Sequence, residues 1–130
     1  MKILDSDILV GILRKNSDAI RKYEEIQKNE TVLTTVLNAQ ELLFGALISE
    51  KSEENFKACK ELLNELNILL YDQKSMIESV KIQAYLEKTG NHIGLIDEIV
   101  AGICTANKAT IITRNVEHFS RVPNLEVEKW

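Results

Sequence analysis

Three carboxylates, Asp5, Glu41 and Asp97, each lie in a stretch of the sequence that is otherwise largely apolar. A carboxylate carried into partly buried surroundings is unfavourable unless something compensates its charge. Several such groups placed together also repel one another. A hard divalent cation with oxygen ligands resolves both problems, so the three acids predict a site for Mg²⁺ or Mn²⁺.

Each acid also has a purely structural interpretation. Asp5 or Asp7 suits the N-cap of a helix that begins near residue 6, and Asp97 suits the start of another helix. Glu41 is harder to explain in this way, because it stands about one turn into a predicted helix. Each position taken alone leaves both interpretations open, and the combination of three favours the metal site.

The remaining reactive side chains argue against other chemistries. Cys59 and Cys104 form no CxxC pair and lie on helical apolar stripes, which indicates small core residues in a reducing compartment. His92 and His118 stand apart from each other and from the cysteines, which argues against a zinc site. The net charge of −4 neither supports nor excludes a nucleic-acid partner, because a metal reverses the sign of an acidic site.

The elements that must position these acids follow from the alternation of short apolar strands with helical patterns. The predicted strands are 2–4, 31–35, 68–71 and 110–113, with a short edge strand at 125–127. The predicted helices begin near residues 6, 17, 38, 53, 75 and 95. This order predicts an α/β fold, a parallel β-sheet of four to five strands flanked by helices on both faces. Ligands of such sheets bind beyond the carboxyl ends of the strands, and the candidate acids are expected at or just after those ends.

The length of 130 residues predicts a single domain over residues 1–130. An acid at position 5 interrupts any apolar signal segment. No apolar run approaches the roughly 20 residues of a membrane helix. We therefore expect a soluble, cytoplasmic protein.

Several blocks of the chain together resemble a known family, the PIN domains. They are Ile3 to Leu9, Glu41 to Gly45, Ile96 to Ala101, Ile112 to Asn115, the residues Phe119 and Val122, and Val127 to Trp130. Within that family the chain resembles the VapC-like toxin ribonucleases of bacterial and archaeal toxin–antitoxin pairs. The resemblance implies a PIN-like three-layer fold and an endoribonuclease that uses Mg²⁺ or Mn²⁺. It also implies an RNA substrate, a small antitoxin partner and a homodimer.

The resemblance carries catalytic, metal-binding roles onto Asp5, Glu41 and Asp97. The position of Asn115 is a fourth aspartate in many relatives, so Asn115 is a further catalytic candidate that brings no charge, and Glu117 is the alternative fourth ligand. Ser6 and Thr113 are expected to orient ligands or waters through their hydroxyls. Asp7 replaces a frequent asparagine and is a candidate outer-sphere ligand. Arg114 is expected to contact the RNA.

Two other interpretations remain open from the residues. A non-catalytic, PIN-like nucleic-acid-binding module is suggested by the amide at Asn115. A receiver-type signalling domain also builds an acidic Mg²⁺ site on a parallel sheet and would use Asp72 as phosphoacceptor. It leaves Glu41 unexplained, and too few residues follow Thr113 for its last strand and helix.

Overall fold

The computed structural model of the protein describes residues 1–130, with five strands and seven helices. The strands are β1 (Lys2–Leu4), β2 (Val32–Thr35), β3 (Asn67–Leu69), β4 (Thr110–Ile112) and β5 (Val127–Glu128). The helices are α1 (Ser6–Leu13), α2 (Ser17–Gln27), α3 (Val36–Leu47), α4 (Ser52–Asn64), α5 (Gln73–Thr89), α6 (Leu95–Ala106) and α7 (Val116–Phe119). None of these helices is long and apolar enough to cross a bilayer.

The five strands form one sheet in the order β3-β2-β1-β4-β5, and every neighbouring pair is parallel. The predicted α/β class and parallel sheet are therefore confirmed. The chain builds outward from β1 through β2 to β3 and then returns to place β4 on the other side of β1. The strand order thus reverses between β1 and β4, which creates a crevice beyond their carboxyl ends.

The sheet is buried on both faces because alternate side chains of each strand enter different cores. Ile3 and Ile111 pack in one cluster with apolar residues of α5 and α6, and Leu4 and Ile112 pack in the other with those of α1 to α4. All four are fully buried. Full burial of such a side chain stabilises the fold by about 1.5–3 kcal/mol, so β1 and β4 are firmly fixed at the reversal point.

Several predicted boundaries differ from the structure. β3 is Asn67–Leu69 rather than 68–71, because Leu70 and Tyr71 turn outward into solvent. α3 begins directly after β2, where Thr35 caps it, and not at Asn38. α5 begins at Gln73, because the Asp72 side chain accepts a hydrogen bond from the backbone N–H of Ser75 at 2.8 Å.

Two shorter elements near the end of the chain also differ. β5 lies at Val127–Glu128, slightly later than the expected 125–127. The four-residue helix α7 was not predicted, because one helical turn is too short to show a period in the sequence. This helix turns out to carry a residue of the candidate site.

Candidate metal centre

Asp5 stands between β1 and α1, where it serves as the N-cap of α1. Its Oδ1 accepts hydrogen bonds from the backbone N–H of Ser6 at 2.8 Å and from Asn38 Nδ2 at 2.9 Å. Its Oδ2 accepts a hydrogen bond from Thr113 Oγ1 at 2.7 Å. Asp5 is only 8% exposed, and this burial raises its pKa to about 6 despite the donors. The capping role and a ligand role are therefore compatible at this residue.

Glu41 and Asn38 lie on the same face of α3 because they are three residues apart. Ser6 links the two side chains, since its Oγ donates to Glu41 Oε2 at 2.7 Å and accepts from Asn38 Nδ2 at 3.0 Å. The expectation that Glu41 would be partly buried is wrong: the residue is exposed. Its apolar neighbour Leu42 packs in the core while Phe44 is itself 53% exposed, so the surrounding apolar residues do not enclose the acid.

Asp97 lies in the first turn of α6 and reaches the site by a different route from the one expected. It precedes β4 rather than following a strand, and its contacts with Asn115 and His118, which come after β4, place it at the carboxyl edge of the sheet. Gly94, at φ 98°, is the N-cap of α6, and no side chain makes a cap hydrogen bond there. Burial raises the pKa of Asp97, a hydrogen bond from His118 opposes that rise, and the charge of Glu41 adds to it.

The acids at this edge influence one another electrostatically. The charges of Asp7 and Asp97 both add to the raised pKa of Asp5. No three acidic, histidine or cysteine side chains surround a common point closely enough to enclose a cation by themselves. Oxygen donors with raised pKa values on one open edge nevertheless fit Mg²⁺ or Mn²⁺, because such ions keep several waters when one or two carboxylates hold them.

The segment after β4 brings three further side chains to Asp97. The backbone N–H of Asn115 donates to Thr113 Oγ1 at 2.9 Å, which turns the Asn115 amide towards α6. Asn115 Nδ2 lies 3.5 Å from Asp97 Oδ2 and 3.0 Å from His118 Nδ1, and His118 Nδ1 lies 3.2 Å from Asp97 Oδ2. Glu117 does not face the site: its side chain is 84% exposed and pairs with Arg121 at 3.1 Å.

Asp7 connects the site to the end of the chain. Its Oδ2 accepts from the backbone N–H of Arg114 at 2.8 Å, and its Oδ1 accepts from Trp130 Nε1 at 2.9 Å. Both oxygens are therefore engaged by protein donors, which gives no support to Asp7 as an outer-sphere ligand. The Arg114 guanidinium stacks 3.6 Å from the centre of a Trp130 ring and lies 3.6 Å from Asp18, so Arg114 is anchored at the rim of the site.

Sequence reasoning missed Asn38, His118 and Trp130. Asn38 is 2% exposed, and its signal was a polar residue one turn before Glu41 in an apolar helix. His118 carried a weaker signal, its spacing of three residues from Asn115. Trp130 belongs to one of the blocks that resemble the family, but its contact with Asp7 had no signal because it joins residues 123 positions apart.

A groove of about 790 Å³ runs from the acidic edge between α1, α3 and α4. Apolar residues of these helices contribute to its lining: Val10, Leu13, Leu42, Ala46, Ala58 and Cys59. Asp7, Glu41, Arg14, Arg114 and Trp130 also line it. The groove can therefore hold an extended apolar segment whose end reaches the carboxylates.

The parallel sheet with acidic side chains where its strand order reverses is an α/β fold with a candidate metal centre. Comparison with known proteins identifies its family. The chain belongs to the PIN-domain family, whose model matches residues 2–125. The receiver-type interpretation is therefore wrong, and Asp72 is the N-cap of α5.

Within the family, the chain is similar to VapC ribonucleases. It is 31% identical to Ribonuclease VapC2 of Rickettsia felis over 129 residues, covering 98% of this chain and 96% of that protein. It is 24% identical to the tRNA(fMet)-specific endonuclease VapC of Salmonella typhimurium over 128 residues, which cover 98% of this chain and 96% of that protein. Its fold matches the crystal structure of VapBC2 from Rickettsia felis bound to a DNA fragment from their promoter, with a TM-score of 0.93, 28% identity and 99% and 98% of the two chains covered.

Proposed function

We propose that this protein is a Mg²⁺- or Mn²⁺-dependent endoribonuclease and the toxin of a toxin–antitoxin pair, acting in the cytoplasm. The observation that carries the proposal is the arrangement of Asp5, which is buried and held by three donors at the strand-order reversal, beside Asp97 and Glu41. The VapC ribonucleases similar to this chain support the same activity.

We assign the cation to Asp5, Asp97 and Glu41. When bound, a divalent cation polarises the scissile phosphate and lowers the pKa of a water that attacks in line. Asp5 is a fixed anchor, because Ser6, Asn38 and Thr113 restrict both of its oxygens. Glu41 is exposed and only its Oε2 accepts a protein hydrogen bond, so it is the acid best placed to orient the attacking water or accept its proton.

Arg114 is the proposed contact to the RNA backbone. Its side chain is 45% exposed at the rim of the site, and the stack on Trp130 limits its conformational freedom. A guanidinium held in this way loses little entropy when it binds a phosphate through two hydrogen bonds. Arg14 lines the same groove and adds a second positive charge.

We propose that the apolar groove between α1, α3 and α4 receives a segment of the antitoxin. The apolar lining residues fit the apolar face of a partner segment, and Glu41 at the end of the groove fits a basic side chain on it. A structural neighbour of this chain is a VapBC2 complex, which supports a protein partner of this kind.

We further propose a homodimer that forms along the β3 edge of the sheet. Several exposed apolar side chains lie on or directly after α3, β3 and α5: Phe44, Leu47, Ile48, Ile68, Leu70, Met76, Ile77 and Val80. A second copy is the occupant that removes this surface from water and covers the unpaired edge strand. Sedimentation should give a dimer for the wild type and a monomer for Ile48→Glu, with Gln83→Glu as the charge-matched control. A monomeric wild type contradicts this part of the proposal.

The test of the activity is cleavage of a mixed RNA pool by purified protein, with and without Mn²⁺. Attack by water leaves a 5′-phosphate and a 3′-hydroxyl, because the RNA 2′-hydroxyl is not the nucleophile. Asp5→Asn should abolish cleavage, while Glu117→Gln, an exposed acid two residues from Asn115, should retain it. Products with 2′,3′-cyclic phosphate ends contradict the mechanism.

A non-catalytic, RNA-binding PIN-like module is the second candidate, and the uncharged Asn115 beside Asp97 favours it. RNA that binds in the presence of Mn²⁺ without being cut would establish that alternative. Equal cutting by wild type and Asp5→Asn would instead indicate a contaminating nuclease.

A further inference from the structure

His118 Nδ1 contacts polar side-chain atoms of both Asp97 and Asn115. The nitrogen faces Asp97 Oδ2 at 3.2 Å, which only accepts hydrogen bonds when ionised, and Asn115 Nδ2 at 3.0 Å, which only donates them. A half-turn of the Asn115 amide places Oδ1 at this contact, which lets a protonated Nδ1 donate to both oxygens.

A cation can take the place of that proton. It accepts the lone pairs of both His118 Nδ1 and Asp97 Oδ2, and a half-turn of the Asn115 amide presents Oδ1 in place of Nδ2. The oxygen and nitrogen of an amide are interchanged by such a turn without other movement. The three groups then all act as ligands.

The spacing of the three atoms also fits one ion. The separations are 3.0 Å, 3.2 Å and 3.5 Å between His118, Asn115 and Asp97. Adjacent ligands of an octahedral ion with bonds of ~2.1 Å are about 3 Å apart, so the three atoms match one face of an octahedron. The side chains of His118 and Asp97 are 39% and 28% exposed, which leaves this face open to an ion from solvent.

We propose that His118 is a direct ligand of the divalent cation, together with Asp97 and Asn115. The proposal rests on the metal-dependent function proposed above and adds a consequence for metal choice. Imidazole binds first-row transition ions much better than Mg²⁺. His118 therefore makes this site discriminate in favour of Mn²⁺.

The chain has two histidines, which allows a clean spectroscopic test. Mn²⁺ bound to the full-length protein is measured by pulsed electron paramagnetic resonance, which detects nitrogen directly coordinated to the ion. We expect a ¹⁴N coupling in the wild type that changes to ¹⁵N when the histidines are ¹⁵N-labelled. His118→Gln should lose the coupling. His92→Gln should retain it, because the His92 ring nitrogens contact Glu87 and Glu98 and none of the proposed ligands.

Calorimetric titration gives a second, independent measurement. His118→Gln should weaken Mn²⁺ binding about 10–100-fold and Mg²⁺ binding only a few-fold, so that the preference for Mn²⁺ collapses. Equal weakening for both ions, with no nitrogen coupling in the wild type, would show that His118 only positions Asp97 and would overturn the proposal. A wild type that binds neither ion would overturn the metal-dependent function as well, which distinguishes the two failures.

Discussion

Thr113 donates its hydroxyl proton to Asp5 Oδ2 at 2.7 Å and thereby joins the ends of the two strands between which the strand order reverses. Both residues are buried, and they are 108 positions apart in the chain. The same hydroxyl lies 3.2 Å from Asp7, but it has one proton to donate and the shorter contact is the one to Asp5. Thr113 therefore fixes the direction in which Asp5 presents its remaining lone pairs.

Thr113→Val should show how much this hydrogen bond contributes to stability and to metal binding. Valine keeps the shape of the buried side chain but leaves the Asp5 carboxylate without one of its donors. Loss of a hydrogen bond to a charged group should lower the free energy of unfolding by about 1.5–3 kcal/mol, as measured by urea denaturation. Mn²⁺ affinity should fall about 10–100-fold because the ligand is no longer oriented. Thr113→Ser retains the hydroxyl and should lose much less on both counts; equal losses in the two variants would assign the effect to packing.

Asp5 should make the metal-free protein less stable as the pH rises. Its pKa in the folded protein is about 6 because of burial, against an ordinary value of 3.8, so the folded state holds the proton more tightly than the unfolded state. This contribution to stability is present in full below pH 3.8, is lost as the pH rises from 3.8 to 6, and stays absent above 6. The loss corresponds to about 3 kcal/mol.

The measurement compares wild type with Asp5→Asn, which cannot titrate at this position, so that other groups cancel. Without metal, the unfolding free energy of the wild type should fall relative to that of Asp5→Asn as the pH rises from 4 to 7. The fall should be up to about 3 kcal/mol. Millimolar Mn²⁺ at pH 7 should restore the wild type relative to the variant, because the ion binds the ionised carboxylate. A pH-independent difference would mean that Asp5 titrates normally.

The sequence predicted the sheet well because its strands are short apolar runs between clear helical patterns. A strand that is buried on both faces consists of consecutive apolar residues. The sequence shows such runs at Ile3–Leu4 and at Ile111–Ile112. The position of Asp5 between the first strand and the first helix was also predictable, and the capping role that the sequence offered is the one observed. Local pattern sufficed in each of these cases.

The parts that could not be predicted depend on contacts across long distances in the chain. The apolar neighbours of Glu41 suggested burial, but several of them face solvent themselves, and only tertiary packing decides this. Asp97 reaches the site through contacts with Asn115 and His118, which lie 18 and 21 positions further along the chain. His118 reaches it through one helical turn, α7, that has no periodic signature.

Replacing two helical glycines by alanine should change the stability of the protein in opposite directions. A Cβ at Gly102 in α6 would lie 2.7 Å from the backbone nitrogen and 2.8 Å from the Cα of Ser79 in α5, so the two helices would have to separate. A Cβ at Gly45 in α3 would meet nothing within 4 Å. Gly102→Ala should therefore destabilise by about 1–3 kcal/mol or more. Gly45→Ala should stabilise by about 0.5–1 kcal/mol through helix propensity. Thermal and urea unfolding of both variants measure this, and a tolerated Gly102→Ala would contradict the close approach of α5 and α6.

Asp97→Asn should separate metal binding from folding. Without metal, the charge of Asp97 is unfavourable, because burial and the charges of Glu41 and Asp7 raise its pKa. The asparagine removes the charge and nearly keeps the shape, so the metal-free variant should melt at the same temperature as the wild type or higher. Millimolar Mg²⁺ or Mn²⁺ should stabilise the wild type, because a ligand that binds only the folded state stabilises it by mass action. The variant should gain much less stability from either ion and should lose most of its RNA cleavage. A metal-free variant that melts clearly lower would instead mean that Asp97 stabilises the first turn of α6, where an acid contributes up to about 1 kcal/mol through the helix dipole.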